Sequence, residues 1–389
     1  MSVPDDVRVL TEGDFDALVA NLSVAFGEVS SGAEERVLEH IRAQLPNTLG
    51  SFEHGRLASS ALMYPFEMYV GGTRQPVGGL ASVATEPWAR RRGHVARLLR
   101  AWFERLHEAG VGWCAEHPFD PRFYTRYGFQ SLPNGRTLEV APAAFDAGPP
   151  PDAERLTGTD LAPLKRIHEA FASRYSFAPT RDDAARDGWW RVARPWTGGD
   201  RHAYLLEDAY VVFARFDDTG GPLDVTDLAW STPAGRRRLG RFLRAFDGQF
   251  PRIRLHLPPG DALLLDHQAR NAVQTPLLQV RIVDVAACLA PLAAPRASRW
   301  RLAVDDADCP WNQGVFDVQL GPEGCALTPA GGAADVRLDV GALAALLGAG
   351  AHPEALLADG RAEGDAHALH ALGELMRAQP PFQARADGF

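Results

Sequence analysis

The stretch SVATEPWARRRGHVARLLRAW, residues 82–102, decides the fold. Its opening residues, with PVGG just upstream, read as a β-rich strand. From Gly93 to Ala109 the apolar positions Val95, Leu98, Leu99, Trp102, Phe103 and Leu106 recur at a 3.6-residue period, and Gly110 stops the run, which predicts an amphipathic helix. A strand that passes through an arginine-rich turn straight into a helix offers backbone N–H groups and the positive end of a helix dipole at one place. That place suits a phosphate. Gly93 allows the close backbone approach that a side chain would block. The turn is not a P-loop, because no GxxxxGK occurs and the single lysine, Lys165, is remote. Taken alone, RRRGHVA also fits a solvated basic turn capping a helix. The strand before it and the helix after it favour the phosphate cradle.

A second copy of the pattern, DLAWSTPAGRRRLGRFLRAF, lies at residues 227–246. Pro87, Arg90, Arg91 and Arg92 align with Pro233, Arg236, Arg237 and Arg238, whereas Leu99, Arg100 and Ala101 align with Leu243, Arg244 and Ala245 only after two residues are removed from the intervening turn. Leu239 falls nearest to the place of Gly93. The shorter turn leaves no room for a pyrophosphate, so the expectation is one working site per chain.

Around these copies, Glu12–Phe26 carries Phe15, Leu18, Val19, Leu22 and Phe26 at helical spacing behind a Thr11 cap, and a second amphipathic segment spans Glu34–Leu45. Residues 51–72 and 76–85 read as strands broken by glycine turns, and VGWCAEH at 111–117 as a short strand. The clearest break is GPPP at 148–151, and LAPLAAP near 290–295 is a second. Helices are expected at Asp339–Leu347 and Asp365–Ala378. With 389 residues, two or three domains are expected, and the breaks divide the chain at 1–148, 149–290 and 291–389.

Hydrophobic residues make up 46% and charged residues 23%, which excludes a mainly disordered or fibrous chain. The net charge of -9 argues against nucleic acid or anionic lipid and toward a cationic partner. Cys114, Cys288, Cys309 and Cys325 form no CxxC, and reduced thiols fit best. The start is acidic and no run of 18 apolar residues occurs, so the expectation is a cytoplasmic protein without a membrane span. His367 with His370, HEAFA at 168–172, and the acidic Asp305, Asp306 and Asp308 each lack the remaining ligands of a metal site, and no metal is expected.

VATEPWARRRGHVA resembles the acetyl-CoA motif of the GNAT acetyltransferases: Arg or Gln, two residues, Gly, one residue, then Gly or Ala. Arg90 and Gly93 match, while Val95 stands where Gly or Ala is usual and Ala96 follows it. FYTRYGFQ at 123–130 resembles the next acetyltransferase segment. The tail, WRLAVDDADCPWNQGVFDVQL followed by ADVRLDVGALAALLGAG and ALLADGRAEGD, resembles a sterol carrier protein domain. Two GNAT-like copies before such a tail resemble the Eis (enhanced intracellular survival) family of N-acetyltransferases over essentially the whole chain.

The resemblance implies an α/β fold with mixed sheets: an N-terminal GNAT domain that binds acetyl-CoA, a central degenerate GNAT-like domain without it, and the carrier-like tail. It implies an acetyl-CoA-dependent enzyme acting on amines of polycations such as aminoglycosides, at more than one amine, with lysine-containing peptides as alternative acceptors and a hexamer as the assembly. By resemblance Tyr124 is the general acid toward the departing thiolate, and the carboxylate of the last residue, Phe389, is the base. The donor would be held by Val83, Ala84 and Thr85 on the strand, by Arg91, Arg92, Gly93, His94, Val95 and Ala96 on the turn, and by Phe119 and Asp120. Glu28, Glu34 and Glu35 could receive ammonium groups, although a solvated acidic face explains them equally. A rival reading makes the tail an apolar-ligand carrier and the copies a scaffold; Leu343, Leu346, Leu347, Leu356 and Leu357 then line a cavity rather than a core.

Overall fold

A computed structural model describes residues 6–27, 34–156, 161–181, 201–215, 220–265, 272–273 and 278–388. The strand-rich first third gives β1 (Val7–Val9), β2 (Thr48–Glu53), β3 (Arg56–Val70), β4 (Thr73–Thr85), β5 (Trp113–Glu116), β6 (Gln130–Ser131), β7 (Arg136–Val140) and β8 (Glu154–Arg155). The middle adds β9 (Ala178–Pro179), β10 (Arg201–Leu206), β11 (Ala209–Arg215), β12 (Leu223–Trp230), β13 (Ile253–Leu257) and β14 (Gln279–Ile282). The tail adds β15 (Ser298–Asp305), β16 (Gly314–Gly321), β17 (Gly324–Ala330), β18 (Val336–Asp339) and β19 (Ala362–Gly364). They form three mixed sheets, ordered β1-β2-β3-β4-β5-β14-β6 with β9 on β3, β7-β13-β12-β11-β10-β8, and β17-β16-β15-β18-β19.

Sheet membership crosses the first expected break in both directions. β7, ahead of GPPP, pairs antiparallel with β13 in the second sheet, and β14, ahead of LAPLAAP, is inserted between β5 and β6 of the first. Each repeat therefore lends a strand to the other's sheet. No local pattern in the sequence carries that exchange.

The helices are α1 (Phe15–Phe26), α2 (Glu34–Ala43), α3 (His94–Glu108), α4 (Pro121–Thr125), α5 (Ala162–Ala172) and α6 (Pro233–Arg244), followed by shorter ones toward the tail. α3 buries Leu98, Leu99, Phe103 and Leu106 against Leu80 and Cys114 of the first sheet and against Phe129 just ahead of β6, which is the stripe its period predicts. In the tail, Leu343, Leu346, Leu347 and Leu356 are buried in one core with Trp113, Val280 and Ile282 of the first sheet, and Leu357 packs at its edge. Each buried leucine contributes roughly 1.5–3 kcal/mol. The tail's leucines thus weld it to the first lobe.

The two arginine runs are not structurally equivalent. Arg90, Arg91 and Arg92 form the turn ahead of α3, whereas Arg236, Arg237 and Arg238 lie inside α6, which starts three residues after β12 ends. The missing residues are those of the turn itself.

Candidate active site

β4 and β5 are parallel neighbours, but only Val77–Leu80 pair with Trp113–Glu116. Beyond Leu80 the strands part, and a cleft of about 840 Å³ opens between them. A bulge fixes the parting: Ser82 and Val83 stand opposite the single Ala61 of β3, and Ser82 adopts φ +47°. The interruption thus begins at Ser82, one residue before the expected Val83–Thr85. Ala84 and Thr85 resume pairing with Ser60 and Ser59, so their other edge faces the cleft.

At the far end of β4 the chain turns through Arg91, φ +63°, and Gly93, φ +81°, into α3. Both are left-handed conformations, which glycine adopts freely and arginine at a cost of about 1–2 kcal/mol. Gly93 is the N-cap, and no side chain caps the helix. The first N–H groups of α3 consequently face the cleft, whose lining includes Arg90, Arg91, Gly93, His94, Val95 and Ala96. The His94 ring turns inward to Ser51 Oγ at 2.9 Å and Glu53 Oε2 at 3.2 Å, so His94 offers the cleft its backbone. Its Nδ1 also faces Arg97 Nη2 at 2.7 Å, which makes Nδ1 the acceptor and Nε2–H the donor to Glu53.

The opposite wall comes from β5 and α4. Pro121 starts α4 and Asp120 caps it, its Oδ1 accepting from the Arg122 N–H at 3.0 Å. This one-turn helix aims Tyr124 into the cleft, 3% exposed and ringed edge-on by Phe119, Phe123 and Phe129. Burial raises the phenol well above its usual value. Cys114 lies on the same face of β5, and burial pushes its thiol up to about 12, so it is no nucleophile.

Of the residues read from the sequence, Val83, Ala84, Thr85, Arg91, Gly93, His94, Val95, Ala96, Phe119 and Tyr124 meet on this lining. Arg92 points away, its Nη1 donating to Glu53 Oε1 at 2.7 Å, and Asp120 serves α4 rather than the cleft. Phe389 and Glu28 lie outside the described residues; Glu34 opens α2, and Glu35 is exposed upon it. Sequence reasoning missed Glu116 and His117 at the end of β5, and Arg126, which covers Phe123 at 4.1 Å. Glu116 is 1% exposed, its Oε1 has no hydrogen-bond partner, and burial raises its carboxyl to about 9. The available signal was an acidic residue closing the otherwise buried strand VGWCAEH.

Among the described residues no cluster of three metal-ligating side chains occurs, and no helix is long and apolar enough to cross a membrane. His370 instead contacts Glu354, and Asp306 is buried against Arg281 at 2.7 Å, tying the tail to β14.

An acetyltransferase (GNAT) domain family matches residues 6–132, a second acetyltransferase (GNAT) domain family matches 184–282, and a sterol carrier protein domain family matches 285–384. An uncharacterized N-acetyltransferase of Streptomyces avermitilis is 26% identical over 378 residues, covering 92% of each chain. N-acetyltransferase Eis of Mycobacterium bovis is 26% identical over 302 residues, covering 73% of each. Eis1 of Mycobacterium abscessus shares the fold with a TM-score of 0.80 at 21% identity, over 99% of this chain and 100% of that one. A cleft between parting parallel strands, closed by an uncapped helix, is thus found in a chain whose relatives transfer acetyl groups to amines. It is an N-acetyltransferase built of two GNAT domains and a sterol carrier protein domain, and it is similar along its length to the Eis-type enzymes.

Proposed function

We propose that the protein transfers the acetyl group of acetyl-CoA to amines of polycationic small molecules such as aminoglycosides, at more than one position. One observation carries the donor half of this reading: the uncapped start of α3 and the free edge of Ala84–Thr85 face one cleft with Tyr124. The α3 N–H groups, with Arg90 and Arg91, suit the pyrophosphate, and the open edge of β4 suits the amides of the pantetheine arm. Tyr124 then meets the sulfur and gives it a proton as the C–S bond breaks. His94, Val95 and Ala96 contribute backbone, and Val83 and Phe119 flank the arm.

The second repeat has an acidic counterpart. Thr232 caps α6, its Oγ accepting from the Gly235 N–H at 3.0 Å and donating to Asp208, which also receives Arg238 at 2.6 Å. A carboxylate and a hydroxyl thus fill the helix start where a diphosphate would sit, so the donor binds in the first repeat alone.

The base is the chain-terminal carboxylate of Phe389. In its favour, the preceding residues are strapped down rather than frayed: Asn134 brackets Gln383, Arg385 reaches Asp224 at 2.6 Å, and Asp387 meets Arg181 at 2.6 Å. For the acceptor, kinship and the net charge of -9 favour a polyamine. The described lining holds three arginines and one carboxyl, a balance suited to the donor. Lysine-containing peptides are the alternative acceptors, and a cytoplasmic hexamer is the assembly that kinship suggests. Acetyl-CoA supplied with an aminoglycoside should release thiol and add more than one acetyl mass to the product. No transfer to any amine offered would end this reading.

A further inference from the structure

We infer that Glu116 is the proton source for the departing CoA thiolate, passing its proton to Tyr124 as that hydroxyl protonates the sulfur. This rests on the acetyl-transfer reading above and assigns one of its protons. Side chains two apart on a strand share a face, so Glu116 lies on the face of Cys114, which packs with Tyr124 under α3. Glu116 also occupies the last β4–β5 rung, opposite Leu80, where the strands part and the cleft begins. Its carboxyl is buried there with Oε1 unpartnered and no direct hydrogen bond to Tyr124, so the proton crosses the cleft they share through one water.

The groups around it favour the acid form. Across the β5–β14 ladder stands Gln279, whose Nε2 is taken by Pro121 O and Ser131 Oγ, leaving the unpartnered acceptor Oε1. Arg281, next along β14, is held by Asp306, and His94 on α3 by Glu53. On β5 the neighbours are Cys114 and His117; from α4 and the turn after it come Tyr124, Arg126 and Tyr127; ahead of α3 stand Arg90 and Arg91. No hydrogen bond or ion pair joins any of these cations to Glu116 among the described residues. Burial with no cation beside it favours the acid form, and the carboxyl is raised to about 9.

Tyr124 alone is a poor final donor. Its phenol is raised further above about 10, whereas a thiol lies near about 8.5, so ending as phenolate runs uphill. A carboxyl near 9 is matched to the thiol. The step balances: the amine forms the N–C bond, the C–S electron pair goes to sulfur, sulfur takes the Tyr124 proton, and Tyr124 takes that of Glu116. The amine's proton goes to the terminal carboxylate proposed as base, and the Glu116 carboxylate is reprotonated from solvent before the next turnover.

The experiment compares wild type, Glu116→Gln and Glu116→Asp with acetyl-CoA and with the acetyl thioester of an aromatic thiol, whose weakly basic leaving group needs no proton. Glu116→Gln should lower kcat with acetyl-CoA by about 100-fold at unchanged KM, and Glu116→Asp should recover part of it. Wild-type activity should fall as pH rises through about 9, where Glu116 ionises, and Glu116→Gln should lose that alkaline limb. With the aromatic thioester the deficit should disappear. Unchanged turnover in Glu116→Gln, or an equal deficit with both donors, overturns the inference while leaving acetyl transfer intact. If Glu116→Gln does not fold, a Glu116→Asp enzyme with full turnover and the wild-type alkaline limb on both donors does the same. A wild type that releases no thiol removes the parent reading and this inference together.

Discussion

At the scale of the residue, Tyr124 illustrates how packing and chemistry are separable. Its ring is clamped by Phe119, Phe123 and Phe129, a contact set that phenylalanine reproduces, so Tyr124→Phe removes a hydroxyl without opening a cavity. The variant should melt within a few degrees of wild type and bind acetyl-CoA with unchanged KM. Its kcat should drop by about 100-fold, the usual worth of a positioned proton donor. Steady-state kinetics with acetyl-CoA varied at saturating amine reads both constants. A rise in KM at constant kcat would make Tyr124 a binding residue instead.

At the scale of the element, the turn before α3 is the part that α6 lacks. In Gly93→Ala the nearest atom to the new methyl would be Arg97 Nη1 at 3.5 Å, so space is available and the obstacle is φ +81°. Relieving about 1–2 kcal/mol of strain shifts the turn and the N–H groups it presents. The expected outcome is a KM for acetyl-CoA raised about tenfold, equivalent to about 1.4 kcal/mol, with kcat nearly kept; calorimetric titration with CoA checks it directly. This element was legible in the sequence because everything in it is local. The 3.6 period of Val95, Leu98, Leu99, Trp102 and Phe103 located α3 within a residue, and glycine and arginine marked its turn. The exchange of β7 and β14 was illegible because strand pairing is non-local and a five-residue strand fits either sheet. Glu116 was marked in the sequence only as an acidic residue closing a buried strand, and the burial that sets its chemistry comes from non-local pairing with Leu80 of β4 and Gln279 of β14.

At the scale of the whole molecule, the tail and the second repeat meet at one buried arginine. Arg181, 1% exposed with φ +56°, joins Asp227 of β12 at 2.8 Å to Asp387, two residues before the chain end. Phe382 N donates to Ser176 O at 3.0 Å on the way there, and the Phe382 ring stacks on His256 of β13. The terminal segment is thus held by the second sheet while the remainder of the tail is fused to the first. Removing one partner of such a buried set leaves the others charged and uncompensated, at about 3–5 kcal/mol. Arg181→Met should therefore lower the melting temperature and release the terminal segment to proteolysis. Deletion of Phe389 alone should abolish acetyl transfer with melting unchanged, since Asp387 keeps its partner. If the terminal carboxylate is the base, both variants lose turnover and only the first loses stability. Full turnover in Arg181→Met, measured below its melting temperature, would show that the strap stabilises the molecule without placing its end.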